Sequence, residues 1–493
     1  MNWVPVFIIF GWLALSFVVG VTIGRKKVDV SQVMEEWYVS ARSLGIIVLW
    51  FMLAANWLSA FSFLGGPGWA FSRGAPAFYI VVYCAMYPIF YYALMPKAWK
   101  LGKQYGFVTQ LDLFADRYRS TAICVLVALV SYVVIIPYIG LQMMGIGYLF
   151  KVVTGGAIEF KMGALIAFGI IAGYVYTSGL RGVGWVNLLQ GIMMFLAAIL
   201  ATWYIVATRF GGLQQMFMEI EKVKAAALTL PGMGKGMGIG MFATSVLLSA
   251  FGGAMWPHMF QAYYGAKSLK VTKLVTALMP ISAILNLSVT FLGLGGIVLV
   301  AKAIKPDEIL IEILREYAPV WLLGILCAGG LAAAISTGAS LVHSLGSIAG
   351  RNIFQAYFRP RASQQEVNRV ARWAVLAVTI LSYLFALSSP HTLVWILLMG
   401  YGGISQFLSI AIGALFWPRA TKAGALSGLL VGIGITGLFT FSPAPLNHPL
   451  GLHAGFWGLI GNFLVFYLVS KATRPDPDEV LERYFQKAGG GKR

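Results

Sequence analysis

The sequence predicts an all-α polytopic membrane protein, and three observations carry that expectation. The chain is 59% hydrophobic and only 11% charged over 493 residues, a balance unlike that of a soluble domain. Apolar runs of about 20 residues, each long enough to cross a bilayer, follow one another along most of its length. The charged residues fall between the runs and leave no room for a separate soluble domain. A formal net charge of +19 would suggest a nucleic-acid partner in a soluble protein. Here the basic residues occupy loops, where the cytoplasmic excess of Lys and Arg accounts for them. The expected partners are therefore membrane lipid and a small solute, not nucleic acid. Cys84, Cys124 and Cys327 lie inside apolar runs, and their odd number and wide spacing suggest neither a disulfide framework nor a zinc site.

Thirteen spans follow in order, near 3–24, 44–71, 76–96, 121–150, 162–180, 184–207, 238–258, 274–301, 318–348, 368–388, 391–416, 422–442 and 452–471. The first is long for a signal peptide and lacks a basic start and a small-residue cleavage site, so it counts as a span. Loops after the odd-numbered spans, with the C-terminal tail, gather most of the 36 Lys and Arg residues. That bias puts the N-terminus outside and the C-terminus in the cytoplasm of a plasma (inner) membrane. Arg25, Lys26, Lys27 and Arg42 mark the first cytoplasmic loop, whose 34–45 segment is expected on the membrane surface. The external stretches 214–226 and 306–317 read as amphipathic helices. In the second, Asp307, Glu308, Glu312 and Glu316 read as a solvated face. The tail is polar and reads as helical from Pro477 to Lys487.

The second span carries an interruption. Gly65, Gly66 and Gly68 weaken helix there, and Pro67 removes a backbone donor. In lipid, an unpaired backbone group costs several kcal/mol, so such a break survives only where protein, water or ligand satisfies it. A plain alternative is a helix packed closely through its glycines. The seventh span echoes the pattern in Phe251-Gly252-Gly253-Ala254-Met255-Trp256-Pro257. The two lie five spans apart and so have opposite membrane orientation. Matched interruptions in two halves point to an inverted-repeat transporter with its binding site at the breaks. Gly65, Gly66, Pro67, Gly68, Gly253 and Pro257 are accordingly the expected hinge positions.

All 17 Asp and Glu residues fall in loops or at span ends. That argues against a carboxylate proton relay in the membrane and against Mg2+ or Ca2+ cages. A cation bound in the core is then monovalent and held by neutral oxygens, of which broken-helix carbonyls are one source. The ninth span supplies hydroxyls in Ala333-Ala334-Ile335-Ser336-Thr337. Back-bonding to carbonyls one turn earlier is their other reading. There is no catalytic triad, His-Glu-x-x-His or phosphate-binding loop, so no enzyme is expected.

Ser59 to Gly68, Trp185 to Gln190, Pro257 to Gln261 and Ala333 to Thr337 together resemble the solute:sodium symporter family, in order and over nearly the whole chain. The resemblance implies a five-plus-five inverted-repeat (LeuT-like) core with broken first and sixth core helices. One helix precedes the core and others follow it. The segments would be 1–43, then repeats 44–210 and 211–420, then two further helices and the tail in 421–493. It implies Na+ as coupling ion, held by the carbonyls of Ala55, Leu58 and Ala333 and the hydroxyls of Ser336 and Thr337. It also implies a solute pocket beside the ion, with a monomer as functional unit. Ser59, Phe61 and Ser62 would line the pocket with Tyr138, Gln142, Ser249, Gly252 and Trp256, and with Tyr401, Ser405 and Gln406 from the eleventh span. Two positions depart from the family. Asn187 stands where many members have Asp and some hold a further sodium, and Ala262 stands where many have Arg. No Lys or Arg lies in a span interior, so a carboxylate would be held by hydroxyls and half-helix N-termini. The Phe63 to Ala70 run is most similar to members carrying monocarboxylates or pantothenate. Proton coupling through His258 or His343 and a solute-sensing receptor are the rival readings.

Overall fold

The computed structural model describes residues 3–24, 33–234, 236–388, 393–444 and 446–485. Arg25, Lys26 and Lys27, the start of the eleventh span and the tail beyond Phe485 lie outside the described residues. Within them the chain is helical throughout, with one isolated bridge between Leu44 and Ala266.

Among the described residues, nine single helices and three bent pairs are long and apolar enough to cross a membrane. One helix, Phe160–Phe210, has 51 residues. At 1.5 Å per residue that is about 75 Å, more than twice a hydrocarbon core of about 30 Å. Gly179 interrupts it, with φ 58° and ψ −156°. Trp37, from the segment between the first two spans, fills the space where a Cβ on Gly179 would sit. Both ends of the element meet the loop before Val320. Phe160 packs on Tyr148, which lies under Lys305, and Arg209 donates to the Tyr317 carbonyl at 3.2 Å. The element therefore doubles back at Gly179, between the expected fifth and sixth spans.

The three bent pairs organise the core. The first joins Ile46–Trp57 to Phe61–Arg73 at 56°, the second Ile239–Gly253 to Pro257–Tyr264 at 41°, and the third Leu393–Ile404 to Phe407–Phe416 at 40°. The first break falls at Leu58–Ala60, not at the glycine run. Gly65, Gly66, Pro67 and Gly68 stay helical, Pro67 sitting in the first turn of its α-helical segment, where no donor is needed. These glycines serve close packing. A Cβ on Gly65 would lie 3.2 Å from Leu393, and one on Gly68 would lie 2.7 Å from the Pro306 carbonyl oxygen. The second break falls at Ala254–Trp256, between the expected Gly253 and Pro257. The third, at Ser405–Gln406, has no Gly-Pro signature in the sequence.

The amide of Leu44 donates to Gly265 at 3.0 Å, and that of Lys267 donates to Leu44 at 2.9 Å. The halves Ile46–Trp57 and Pro257–Tyr264 thus share one end of the bundle, and Phe61–Arg73 and Ile239–Gly253 share the other. The surface segment 33–45 straps the first of these ends. Ser40, Ala41 and Arg42 all adopt left-handed backbone, which is unfavourable for residues with a Cβ. The Arg42 guanidinium holds that turn by donating to the carbonyls of Tyr264 (3.1 Å), Gly102 (3.1 Å) and Phe107 (2.8 Å). Arg181 pairs with Glu36 on the same strap. At the opposite end, Leu213–Lys224 forms the expected amphipathic helix, as do Pro306–Glu308 and Ile309–Tyr317 together. Asp307 and Glu312, however, are buried instead of solvated. Glu312 is paired with Arg315 and Lys302, and Asp307 accepts from the Leu393 amide. Asp307 thereby caps the helix that begins at Leu393.

Candidate functional site

The first break frees backbone groups that a continuous helix would pair. The Ala60 amide turns to the Gln142 side-chain oxygen at 2.9 Å, leaving the Asn56 carbonyl without its usual donor. Thr337 supplies the replacement. Its hydroxyl lies 3.1 Å from the Asn56 carbonyl and 3.2 Å from that of Ala55. The Ser336 hydroxyl lies 3.0 Å from the carbonyls of both Ala55 and Ala333. Four of the five expected ligand residues, Ala55, Ala333, Ser336 and Thr337, thus meet in one fully buried cluster. Leu58 lies in the break itself, with φ −94° and ψ 73°. Asn56 joins the cluster and was not singled out by the sequence. Here each hydroxyl proton points at a carbonyl where a cation would stand. With an ion among them, the same oxygens face it and the hydroxyl protons turn away.

Beside this cluster is a second, wholly neutral one. The Asn187 amide donates to the Asn56 side-chain oxygen at 2.8 Å and to Ser340 at 3.3 Å, and the Ser340 hydroxyl donates to the same Asn56 oxygen at 2.6 Å. An Asp at 187 would lose both donations.

The expected pocket residues divide. Trp256 packs between Tyr138, 5.0 Å between ring centroids, and Tyr401, at 5.6 Å. Gly252 faces Tyr401 and Ser405, and a Cβ there would meet them at 3.1 and 3.2 Å. Ser59 is buried beside Tyr138, Ser249 is buried with its hydroxyl unpartnered, and Phe61 is buried in the same half-helix as Ser62. The Ser62 hydroxyl is 3.5 Å from the Trp57 carbonyl, and that of Ser405 donates to Gly402 at 3.3 Å. Gln142 is spent on the break, its amide also donating to the Tyr138 carbonyl at 3.2 Å. Gln406 does not join the pocket. Its amide donates to Gly402, Thr436 and Gly455 at 3.0–3.2 Å, and its oxygen accepts from Asn462, so it ties the third break to the last two spans.

The sequence reading missed a set of aromatic residues on the third span. Tyr79, Tyr83, Tyr87 and Tyr91, spaced by four, are buried along one helix face. Trp57 stacks 4.0 Å from Tyr87, and its indole N–H donates to the Cys84 sulfur at 3.0 Å. The tip of that indole occupies the place of a Cβ on Gly253, so one side chain bridges the first two breaks. The Tyr91 hydroxyl donates to the Gly253 carbonyl. The i, i+4 spacing of the tyrosines was the available signal. Of the two histidines, His343 has its Nε2 2.9 Å from the Trp37 carbonyl, while His258 lies beside Trp256 with Nδ1 unpartnered.

Comparison with known proteins agrees with this architecture. The uncharacterized symporter YhjB of Bacillus subtilis (strain 168) is 32% identical over 478 residues, 95% of this chain and 96% of the relative. A monocarboxylate transport permease protein of Rhizobium johnstonii is 26% identical over 482 residues, 94% of this chain and 96% of the relative. A solved structure of a Na+-coupled sialic acid symporter in a substrate-bound outward-open state superposes with a TM-score of 0.81 at 18% identity. That superposition covers 96% of this chain and 99% of the other, and it shows the shared fold. The model of the sodium:solute symporter family matches residues 37–432, well over half of the sequence, and the chain belongs to that family.

Proposed function

We propose that the chain imports a small organic anion, a monocarboxylate or a pantothenate-like carboxylate, by alternating access driven by one sodium ion per cycle. The observation that carries the sodium part is the oxygen cluster of Ala55, Asn56, Ala333, Ser336 and Thr337. Two carbonyls lose their helical donors at a break, and two hydroxyls from a neighbouring helix face them. A monovalent cation needs no more charge than such dipoles offer, and a divalent ion would need carboxylates. Sodium binding would join the first broken helix to Val320–Ser347 and so set the shape of the adjoining pocket.

The solute part rests on the pocket beside it. Buried Ser59 and Ser249 and the mutually packed Tyr138, Trp256 and Tyr401 would line it, and no Lys or Arg lies in the interior of a predicted span. Half-helices Phe61–Arg73 and Pro257–Tyr264 both begin at the breaks, with the positive ends of their dipoles inward. A carboxylate suits that field, and a monocarboxylate permease is among the relatives. Access from outside would require Pro306–Glu308 to leave Gly68, and access from the cytoplasm would require the Arg42 strap to open.

The experiment is a thermal-shift panel on purified protein, with sodium or potassium, across acetate, lactate, pyruvate, pantothenate, proline and galactose. A ligand that binds the folded state raises its apparent stability. A carboxylate that stabilises only with sodium present supports the reading. Stabilisation by galactose or proline alone would reassign the solute.

A further inference from the structure

The cytoplasmic face carries a basic cleft that the transport reading does not use. Helix Gln110–Tyr118 starts from a capping box made by Thr109 and Asp112. The tail helix Asp478–Phe485 lies against it. Arg483 pairs with Asp116 at 3.0 Å, Arg119 with Glu479 at 2.9 Å, and the Tyr484 hydroxyl donates to Asp116 at 2.8 Å. Between this pair and the start of helix Lys422–Phe441 is a cavity of about 340 Å³. Its wall includes Arg117, Arg119, Lys422 and Arg474, with Asp476 as its one carboxylate.

Arg117 is fully buried. It pairs with Asp476 and donates to the Ala420 carbonyl at 2.9 Å, while its Nε has no partner. Burying a guanidinium with a donor left unpaired is costly unless something else takes the bond. Lys422 and Arg474 stand exposed on the rim. Thr421 caps the new helix through the Gly424 amide at 3.2 Å, and the first-turn amides ahead of it add partial positive charge. Four cations line the cavity, three of them planar guanidinium forks; Asp476 pairs with Arg117 and Glu479 with Arg119, and the remaining positive charge matches a tetrahedral oxyanion carrying more than one acceptor edge.

We propose that this cleft binds a phosphate group, as a free phosphate or as the headgroup of an anionic lipid. Its rim lies where helix Lys422–Phe441 begins and helix Ala454–Ala472 ends, the depth of a headgroup. The site also has a line to the transport core. Gln110, the first residue of the clamped helix, is fully buried and donates to the Met255 carbonyl at 3.0 Å, inside the second break.

The test uses the full chain and reads thermal unfolding. One arm titrates potassium phosphate in detergent against potassium chloride at matched ionic strength. The other compares nanodiscs of phosphatidylglycerol with nanodiscs of phosphatidylcholine. The variants are Lys422→Gln with Arg474→Gln, and Arg474→Gln alone in case the pair fails to fold. The expected result is a saturable rise of a few degrees in at least one arm, at least halved in the variants. A rise with phosphate alone assigns a soluble phosphate, and a rise with phosphatidylglycerol alone assigns a lipid headgroup. No rise above the matched controls in either arm, or a rise fully retained in the variants, overturns the proposal.

Discussion

At the scale of single residues, two hydroxyls decide whether the first break is a cation site or a packing detail. Ser336 and Thr337 were visible in the sequence as hydroxyls among small residues, and back-bonding was their plain alternative. Ser336 does reach back to Ala333, but both side chains also cross to the carbonyls of the broken helix. Removing one such ligand is worth about 1–3 kcal/mol. Ser336→Ala and Thr337→Ala should therefore each raise the sodium concentration for half-maximal uptake several-fold to about a hundredfold. Each should still insert, since Ala favours helix. Unchanged sodium dependence in both would remove the assignment. Asn56 escaped notice because its contribution is a carbonyl freed by a break whose position the sequence misplaced. Asn187 was noticed as a departure, and its neutral bridge to Asn56 and Ser340 gives the departure a physical role. Asn187→Asp adds a carboxylate between two groups that now accept from the amide. The expected outcome is lower stability without sodium, recovered as sodium is added. Loss of stability at every sodium concentration would show that the added charge attracts no ion.

At the scale of elements, the sequence located the interrupted helices better than the interruptions. Glycine and proline mark where a helix is weak, but a helix bends where other side chains can satisfy the freed groups. Gln142, Ser336 and Thr337 do so at Leu58–Ala60, while Gly65 and Gly68 admit Leu393 and Pro306. The third break, at Ser405–Gln406, follows Gly400, Gly402 and Gly403 without a proline, a glycine signal that the sequence reading passed over. Gly253 is a seat for the Trp57 indole, which links the two breaks. Gly253→Ala should lower uptake at least tenfold, and adding Trp57→Phe, a smaller ring, should recover part of it by relieving the overlap. Simple additivity of the two losses would deny the contact. The loop before Val320 makes its own prediction. Burial pushes the Asp307 carboxyl up to about 6, opposed by its bond from the Leu393 amide and by Lys305 and reinforced by Glu308. Unfolded, the group titrates near about 4. The folded chain thus holds the extra proton between those values, and this contribution to stability falls as pH rises through the window. Thermal unfolding from pH 4 to 7 should show that decline, and Asp307→Asn should flatten it. An identical profile in the variant would place the carboxyl outside the linkage.

At the scale of the whole molecule, composition and periodicity were enough for a multi-pass helical protein, and paired motifs were enough for its family. What the sequence could not provide is contact between distant segments. The Arg42 strap, the Asp307 cap and the tail helix on Gln110–Tyr118 all join residues far apart along the chain, and none leaves a periodic trace. The central claim is that an inward sodium gradient drives a carboxylate through the core. The oxygen cluster at the first break and the Asn187 cluster beside it are both neutral, no Asp or Glu falls in the interior of a predicted span, and two uncompensated cations in a low-dielectric interior would repel each other. One sodium should therefore accompany each monoanion, with no net charge moved. The most direct test is initial uptake of a labelled monocarboxylate, identified by the thermal-shift panel, into proteoliposomes under an imposed sodium gradient without a pH gradient, with membrane voltage varied. The account predicts uptake that requires sodium, a Hill coefficient near one and insensitivity to voltage. Uptake driven by a proton gradient in the absence of sodium would contradict it.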